Sequence, residues 1–186
     1  VYEGACLGSC VDTVITSFPF YHVSTLENNM GDDWTFQSYP DGNDYSYQIN
    51  LPTQKSLFID TCDPLTDFDT ILSVKDTCGN PISITEFDDG DSLFCPISSI
   101  DPAWYASIID SITLQAGTYY IIVDGYNGAL GNYAISVGTL PEIISSEIAE
   151  DDSYLEIRFS EDMYTNATAE GAVEPSDFEI IFDQNI

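Results

Sequence analysis

The sequence predicts an all-β fold: an antiparallel β-sandwich of jelly-roll type over most of the chain, with part of a second β domain after it. Short segments rich in β-branched and aromatic residues recur along the chain, and turns bearing Asp, Gly and Pro separate them. No stretch has the sustained 3.6-residue periodicity of an amphipathic helix. Strands at this spacing, without helices between them, are typical of two-layer antiparallel sheets.

The segment 114–137 gives the strongest strand signal. Residues 118–124 are almost entirely β-branched or aromatic, and the Gly-rich turn sequence DGYNGALGN overlaps and follows their end. Tyr133, Ile135 and Val137 then alternate with small residues, as in a strand with one buried face. The same criteria predict further strands at residues 12–18, 45–51, 56–60, 70–74, 81–85 and 108–114.

A domain boundary is predicted near residue 140, which divides the chain into 1–139 and 140–186. Beyond it, runs at 155–159 and 178–182 alternate between apolar and polar residues. This tail has about three strands, whereas a free-standing sandwich needs roughly seven, so we expect an incomplete domain. Because the chain lacks an initiator Met and ends within what reads as a strand, we also expect a segment of a longer precursor.

The charge balance limits the function classes. The chain has 32 acidic residues and only three basic ones, Lys55, Lys75 and Arg158, which gives a net charge of −29. Such a surface repels nucleic acids and anionic membranes. It also strains the folded chain by self-repulsion, so we expect either a high-salt environment or bound divalent cations. The 24 aromatic residues, counting Tyr, Phe and Trp together, argue against disorder.

The cysteines indicate an oxidising, extracytoplasmic compartment. No CxxC pair occurs among the five cysteines, and with His22 as the single histidine a zinc site would be nearly all thiolate. Disulfides are therefore the better interpretation, and we expect Cys6, Cys10, Cys62 and Cys78 to form them. Cys6 could pair with Cys10 and Cys62 with Cys78, but the sequence leaves the pairing open. No apolar run approaches the about 18 residues of a membrane span.

Several motifs together resemble the bacterial pre-peptidase C-terminal domain. They are GDDW (31–34), GNDYSYQI (42–49), FDTIL (68–72), FDDGD (87–91), LQAGTYYIIVDGY (114–126) and GNYAISV (131–137). The resemblance covers residues 5–137 and implies a jelly-roll β-sandwich that serves as a non-catalytic module of secreted peptidases and large surface proteins. It also implies calcium binding in some relatives and binding of polymers such as collagen in others. In the tail, YLEIRFSEDM (154–163) and SDFEI (176–180) resemble the opening strands of bacterial Ig-like repeats, which implies a partial Ig-like domain at 140–186.

Two acidic loops are candidate calcium sites. A calcium ion takes about six to eight oxygen ligands, which clustered carboxylates and turn carbonyls supply. The loops flank the strand pair that begins at residue 70 and ends at residue 85, so we expect them to converge at one sheet edge. Neither loop has EF-hand spacing, and the alternative is that the acids form Asx-turns and solvated loop tips. The candidate ligands are Asp63, Asp67 and Asp69 in the first loop and Asp88, Asp89 and Asp91 in the second, with Asp32, Asp33 and Asp44 as a weaker third group.

Other side chains are candidates for binding or modification and not for catalysis. Trp34, Trp104 and Tyr105 lie in loop-like sequence and are candidate contacts to a polymer, although core packing is the commoner fate of aromatic residues. Asn166 begins a glycosylation sequon. His22 lacks an accompanying GxSxG motif and is expected to be an ordinary rim histidine.

The sequence therefore predicts a non-catalytic, extracellular or cell-surface β-sandwich module with a structural or adhesive role. An unfinished tail domain exposes sheet edges, so we expect assembly with copies of itself or with neighbouring domains into a head-to-tail fibre. The alternative is an accessory domain that holds a secreted peptidase or other hydrolase on collagen or a polysaccharide. A weaker option is a calcium-dependent folding spacer, and neither nucleic acid binding nor membrane insertion is expected.

Overall fold

The computed structural model describes residues 10–28, 30–36, 38, 42–78, 83–90, 105–150 and 154–160. The chain divides into two units, Val1–Leu140 and Pro141–Ile186. The described residues of the first unit contain nine strands: β1 (Thr13–Ile15), β2 (Phe20–Leu26), β3 (Asp44–Leu51), β4 (Lys55–Asp60), β5 (Thr70–Lys75), β6 (Thr85–Asp88), β7 (Ile108–Leu114), β8 (Gly117–Gly125) and β9 (Gly131–Thr139). Those of the second unit contain β10 (Ile143–Ile148) and β11 (Leu155–Phe159).

Two sheets form the first unit. One has five strands in the order β1-β3-β8-β5-β6, and the other has four in the order β2-β9-β4-β7. All neighbouring strands are antiparallel except β1 and β3, which run parallel. The antiparallel β-sandwich that the sequence predicts is therefore confirmed. Among the described residues, no helix has the length and apolar character that a membrane crossing needs.

The core lies between the two sheets. Period-2 alternation directs every second side chain of each strand inward, where burial of the apolar surface stabilises the fold. One pair of neighbouring strands in each sheet supplies most of these side chains: Tyr47, Ile49 and Leu51 from β3, Ile121 and Val123 from β8, Leu57 and Ile59 from β4, and Tyr133, Ile135 and Val137 from β9.

A second, smaller apolar layer covers the outer face of the five-stranded sheet. Trp34 and Phe36, from the segment between β2 and β3, pack on Ile71 of β5 and Ile122 of β8. Lys75 is fully buried beside this layer, where its Nζ donates to the carbonyl oxygen of Thr35 and to Oγ of Ser83, both at 2.8 Å. The connecting segment is thereby held against the sheet.

Some strand predictions differ from the structure. The predicted strand at 12–18 is only the three residues of β1, and β2 was not predicted at all. Of the predicted strand at 81–85, residues 81 and 82 lie outside the described residues and 83 and 84 are not in a strand. The observed strand β6 begins at Thr85 and continues to Asp88, in register with β5. The predicted strand at 178–182 lies outside the described residues.

The described part of the second unit is an antiparallel hairpin with one apolar face. Ile143 lies opposite Phe159, and Ile148 lies opposite Leu155. Ile143 and Ile148 are 62% and 69% exposed. The other face is polar, with Glu147 opposite Glu156. Since a two-stranded hairpin is at best marginally stable in water, this face needs further apolar surface to pack against.

Candidate metal site

Three aspartates meet at one end of the five-stranded sheet. Asp69 immediately precedes β5, Asp88 is the last residue of β6, and Asp89 follows it. Antiparallel pairing places Ile71 opposite Asp88, so the start of β5 and the end of β6 are neighbours. One carboxylate oxygen from each acid lies within 4.8 Å of the others. The structure thus brings together one residue of the first predicted loop and two of the second.

The backbone at Asp89 contributes to this geometry. Its φ of 62° lies in the left-handed region, which Asp tolerates better than most residues. The strand β6 ends there, and the carboxylates of Asp88 and Asp89 lie near that of Asp69. Asp91, the third acid of this loop, lies outside the described residues.

The three carboxylates repel one another without compensation from a described cation. Burial, followed by repulsion from Asp88 and Asp89, raises the pKa of Asp69 to about 7. Burial and repulsion from Asp89 raise the pKa of Asp88 to about 6, although the amide of Asp89 partly offsets this. Burial also raises the pKa of Asp89. One oxygen of Asp69 and one of Asp88, Oδ1 in both, are buried and accept no hydrogen bond from a described residue.

These residues fit a hard divalent cation. Two oxygens that each lie about 2.4 Å from a calcium ion are at most about 4.8 Å apart, so three carboxylates at this spacing can share one ion. A cation would also satisfy the two buried oxygens that lack a donor. An all-oxygen donor set favours calcium or magnesium over zinc. Calcium would be held by Asp69, Asp88 and Asp89, and it would supply the positive charge that the chain lacks.

Asp63 and Asp67 do not join this cluster, because both carboxylates are already engaged. Asp63 Oδ1 accepts the amide of Leu65 at 2.8 Å, which closes an Asx-turn, and its Oδ2 accepts the hydroxyl of Tyr21 at 3.1 Å. Asp67 binds Asn132 twice, through the backbone amide at 2.7 Å and the side-chain amide at 2.8 Å. The two acids tie the loop after β4 to its neighbours, so the six predicted ligands do not form one site.

Asp44, from the weaker third group, acts as a clamp for the chain before it. Its Oδ2 accepts the amides of Asp33 and Trp34 at 2.8 and 2.7 Å. Burial raises the pKa of Asp44 to about 7, while these two hydrogen bonds oppose the shift. Opposite it on β8 lies Asp124, which is fully buried and accepts the amide of Gly42 at 3.2 Å.

The role of Asp124 was missed in the sequence. The signal that could have revealed it is an acid at the end of the apolar run 118–123, directly before a glycine. Gly42 approaches Asp124 so closely that a Cβ there would lie 2.9 Å from Asp124 Oδ1. This approach explains why a glycine occupies position 42.

The structure corrects the predicted role of Trp34. Its side chain is only 2% exposed and packs in the second apolar layer, with its ring centroid 5.2 Å from that of Tyr120. It therefore offers no ring to a polymer. Tyr105 is partly buried, and Trp104 lies outside the described residues.

The disulfides differ from both sequence-local pairings. Cys10 is bonded to Cys78, with Cα atoms 5.9 Å apart, so the pairings Cys6 with Cys10 and Cys62 with Cys78 are wrong. Cys62 is also disulfide-bonded. Cys6 and the sequon residue Asn166 lie outside the described residues.

His22 belongs to a hydrogen-bonded chain inside the sandwich. Its Nδ1 lies 2.9 Å from the hydroxyl of Tyr47, which lies 2.8 Å from the hydroxyl of Tyr133. The imidazole also lies beside the rings of Phe20 and Tyr45, with ring centroids 6.2 and 6.0 Å away and the rings tilted. His22 is therefore a packing residue between the two sheets.

Comparisons with known proteins gave matches to solved structures, with 12 chains matching. No family model and no curated protein matches the chain, so the resemblance of the tail to Ig-like repeats has no support from them. The crystal structure of the pre-peptidase C-terminal domain of a collagenase from Bacillus anthracis matches with a TM-score of 0.44 and 12% sequence identity. The match covers 68% of this chain and 95% of that chain.

The raised pKa values predict that stability falls as pH rises when no metal is bound. Unfolded aspartates titrate near 3.8, whereas Asp69 and Asp88 titrate near 7 and 6 in the fold. Between about pH 4 and pH 7 the folded state therefore binds more protons than the unfolded state. The free energy of unfolding decreases as pH rises through this window. Urea unfolding in EDTA across this range should show the decrease. Stability that increases with pH in EDTA would contradict the assignment.

Calcium should stabilise the protein through Asp69. At a calcium concentration about 100 times the Kd, binding contributes about 2.7 kcal/mol to the free energy of unfolding. D69N should abolish this gain and should be more stable than the parent in EDTA at neutral pH, because one uncompensated charge is removed. D110N, an exposed change on β7, should retain the calcium response. Equal thermal midpoints in calcium and in EDTA for the parent protein would exclude the site.

Proposed function

We propose that this chain is a non-catalytic accessory module of a secreted hydrolase, which holds the enzyme on an extracellular polymer, and that calcium fixes the loops at one end of the module. The observation that carries this proposal is that the motifs resembling the pre-peptidase C-terminal domain hold one another in place. Asp44 of GNDYSYQI binds the amides of Asp33 and Trp34 in GDDW, and Asp124 of LQAGTYYIIVDGY binds Gly42.

The acidic motifs meet in the same way. Asp69 of FDTIL lies with Asp88 and Asp89 of FDDGD in the candidate metal site. Motifs that are far apart in sequence are therefore mutual partners in the fold, as expected if they form one structural unit. This supports the resemblance better than any single motif does.

The cysteines and the charge support the location and the kind of polymer. The Cys10–Cys78 disulfide and the bonded Cys62 support an oxidising, extracellular environment. The net charge of −29 disfavours anionic polymers by repulsion. The polymer is accordingly neutral or basic, such as collagen or an uncharged polysaccharide.

Co-sedimentation with insoluble polymers tests this proposal. We expect the protein to sediment with collagen or with a neutral polysaccharide in calcium, and to remain in solution with an anionic polysaccharide. An unrelated protein of similar acidity, used in parallel, controls for trapping. Failure to sediment with any neutral or basic polymer would refute the proposed function.

Head-to-tail assembly into a fibre is a second candidate, favoured by the hairpin of the second unit. The apolar face that carries Ile143, Ile148 and Leu155 is a surface that a neighbouring copy could cover. If this candidate is correct, size-exclusion chromatography should show species that grow with protein concentration. A monomer at all concentrations would rule it out.

A further inference from the structure

β2 is a long edge strand of the four-stranded sheet, and no described strand pairs with its outer side. β2 pairs with β9 over seven consecutive residues, from Phe20 opposite Val137 to Leu26 opposite Gly131, and the register has no shift. Its other edge makes no backbone hydrogen bond within the part of the chain that the structure describes. Unpaired amides and carbonyls along such an edge form a template for another extended chain.

The other described edges of the first unit are poorer templates. β1 and β6 have three and four residues. β7 has seven, but its pairing with β4 shifts register between Leu57 and Ile59, and such irregularities blunt an edge. β2, with the sequence FYHVSTL, contains no proline, glycine, lysine or bulge. The strand itself therefore carries none of the sequence features that usually prevent pairing.

The two faces of β2 differ: one is exposed to solvent, and the other packs on the core. Tyr21 and Val23 point away from the core and are 55% and 47% exposed. Phe20 and His22 point inward, where both contact Tyr47. Because the strand is already fixed from inside, a peptide that binds there incurs little ordering cost on the protein side.

The charges around β2 determine the chemistry of the partner. Asp63 accepts the hydroxyl of Tyr21, and Glu27 directly follows the strand. The whole chain has only three basic residues: Lys55 on β4, the buried Lys75, and Arg158 in the second unit. A basic segment is attracted to this edge, whereas a second copy of this acidic chain is repelled.

We propose that β2 is a docking edge for an extended, basic polypeptide, which adds to the four-stranded sheet as a fifth strand. The proposal rests on the proposed function and specifies its polymer as a polypeptide. A sheet edge presents alternating donors and acceptors at the spacing of a peptide backbone, which an extended polypeptide matches residue by residue.

The test uses a short peptide in which lysine alternates with valine, and the same peptide N-methylated at every residue. Both carry the same charge, but the methylated form has no amide donors. Isothermal titration calorimetry with the full chain should give a Kd that is at least about tenfold weaker for the methylated peptide, which corresponds to about 1.4 kcal/mol. Hydrogen exchange in the complex should slow at amides of β2. Equal affinities, or unchanged exchange at β2, would overturn the proposal.

Three variants test whether the peptide binds at the β2 edge or to the acidic surface in general. V23K should weaken binding of the unmethylated peptide by about tenfold, because lysine repels the peptide and guards the edge. Y21K, on the same face of β2, provides a second variant should V23K fail to fold. I84K introduces the same charge before β6, at a residue that is 46% exposed, and should leave the Kd nearly unchanged. Equal effects of all three variants would mean that only net charge matters.

The outcomes also distinguish this inference from the proposed function. If the protein sediments with an insoluble polymer but binds the two peptides equally, the docking edge is wrong and the proposed function stands. If a neutral oligosaccharide displaces the peptide from β2, the polymer is a polysaccharide and the edge proposal is overturned. If neither polymer nor peptide binds, both proposals fall.

Discussion

Backbone amides take the place of cations in this fold. With 32 acids and three bases, the chain cannot neutralise its carboxylates through ion pairs. Main-chain N–H groups do so instead: they donate to Asp12, Asp44, Asp60, Asp63, Asp67 and Asp124. Charge-assisted hydrogen bonds of this kind are stronger than neutral ones. Each of these acids therefore fixes a loop or a strand end, and the acidic composition contributes to the architecture instead of only opposing it.

The cluster of Asp69, Asp88 and Asp89 departs from this rule. Within the described chain, only Asp88 of the three is stabilised by a main-chain amide, that of Asp89, and two buried oxygens have no donor. The buried acids Asp44 and Asp124 both accept main-chain amides, so three carboxylates held together with two buried oxygens lacking donors carry a cost in stability. An external cation would offset that cost. The same constraint thus explains both the clamped acids and the candidate metal site.

Sequence patterns revealed those parts of the fold in which burial alternates along one strand. β3, β7 and β8 were predicted within one residue at each end, because their inward positions are apolar. β2 was missed because Phe20, His22 and Ser24 face inward while Tyr21 and Val23 face outward, so neither face is distinctly apolar. Trp34 and Asp44 were misjudged for a different reason. Their partners come from other segments, and a loop that packs on the outer face of a sheet leaves no periodic signal.

The candidate metal site and the proposed docking edge lie on opposite sides of the sandwich. Residues 16–19 alone connect β1 to β2, so these two edge strands lie on one side. β6 contacts β7, so the other two edges lie on the opposite side, and β6 carries Asp88. A cation at Asp88 is therefore too far from β2 to touch a docked peptide. Calcium would act on such a partner only through the stability of the sandwich, because the strands between the two sites share one packed core. Metal binding and peptide binding are then coupled through folding alone, and a stable fold should bind the peptide equally well with or without the ion.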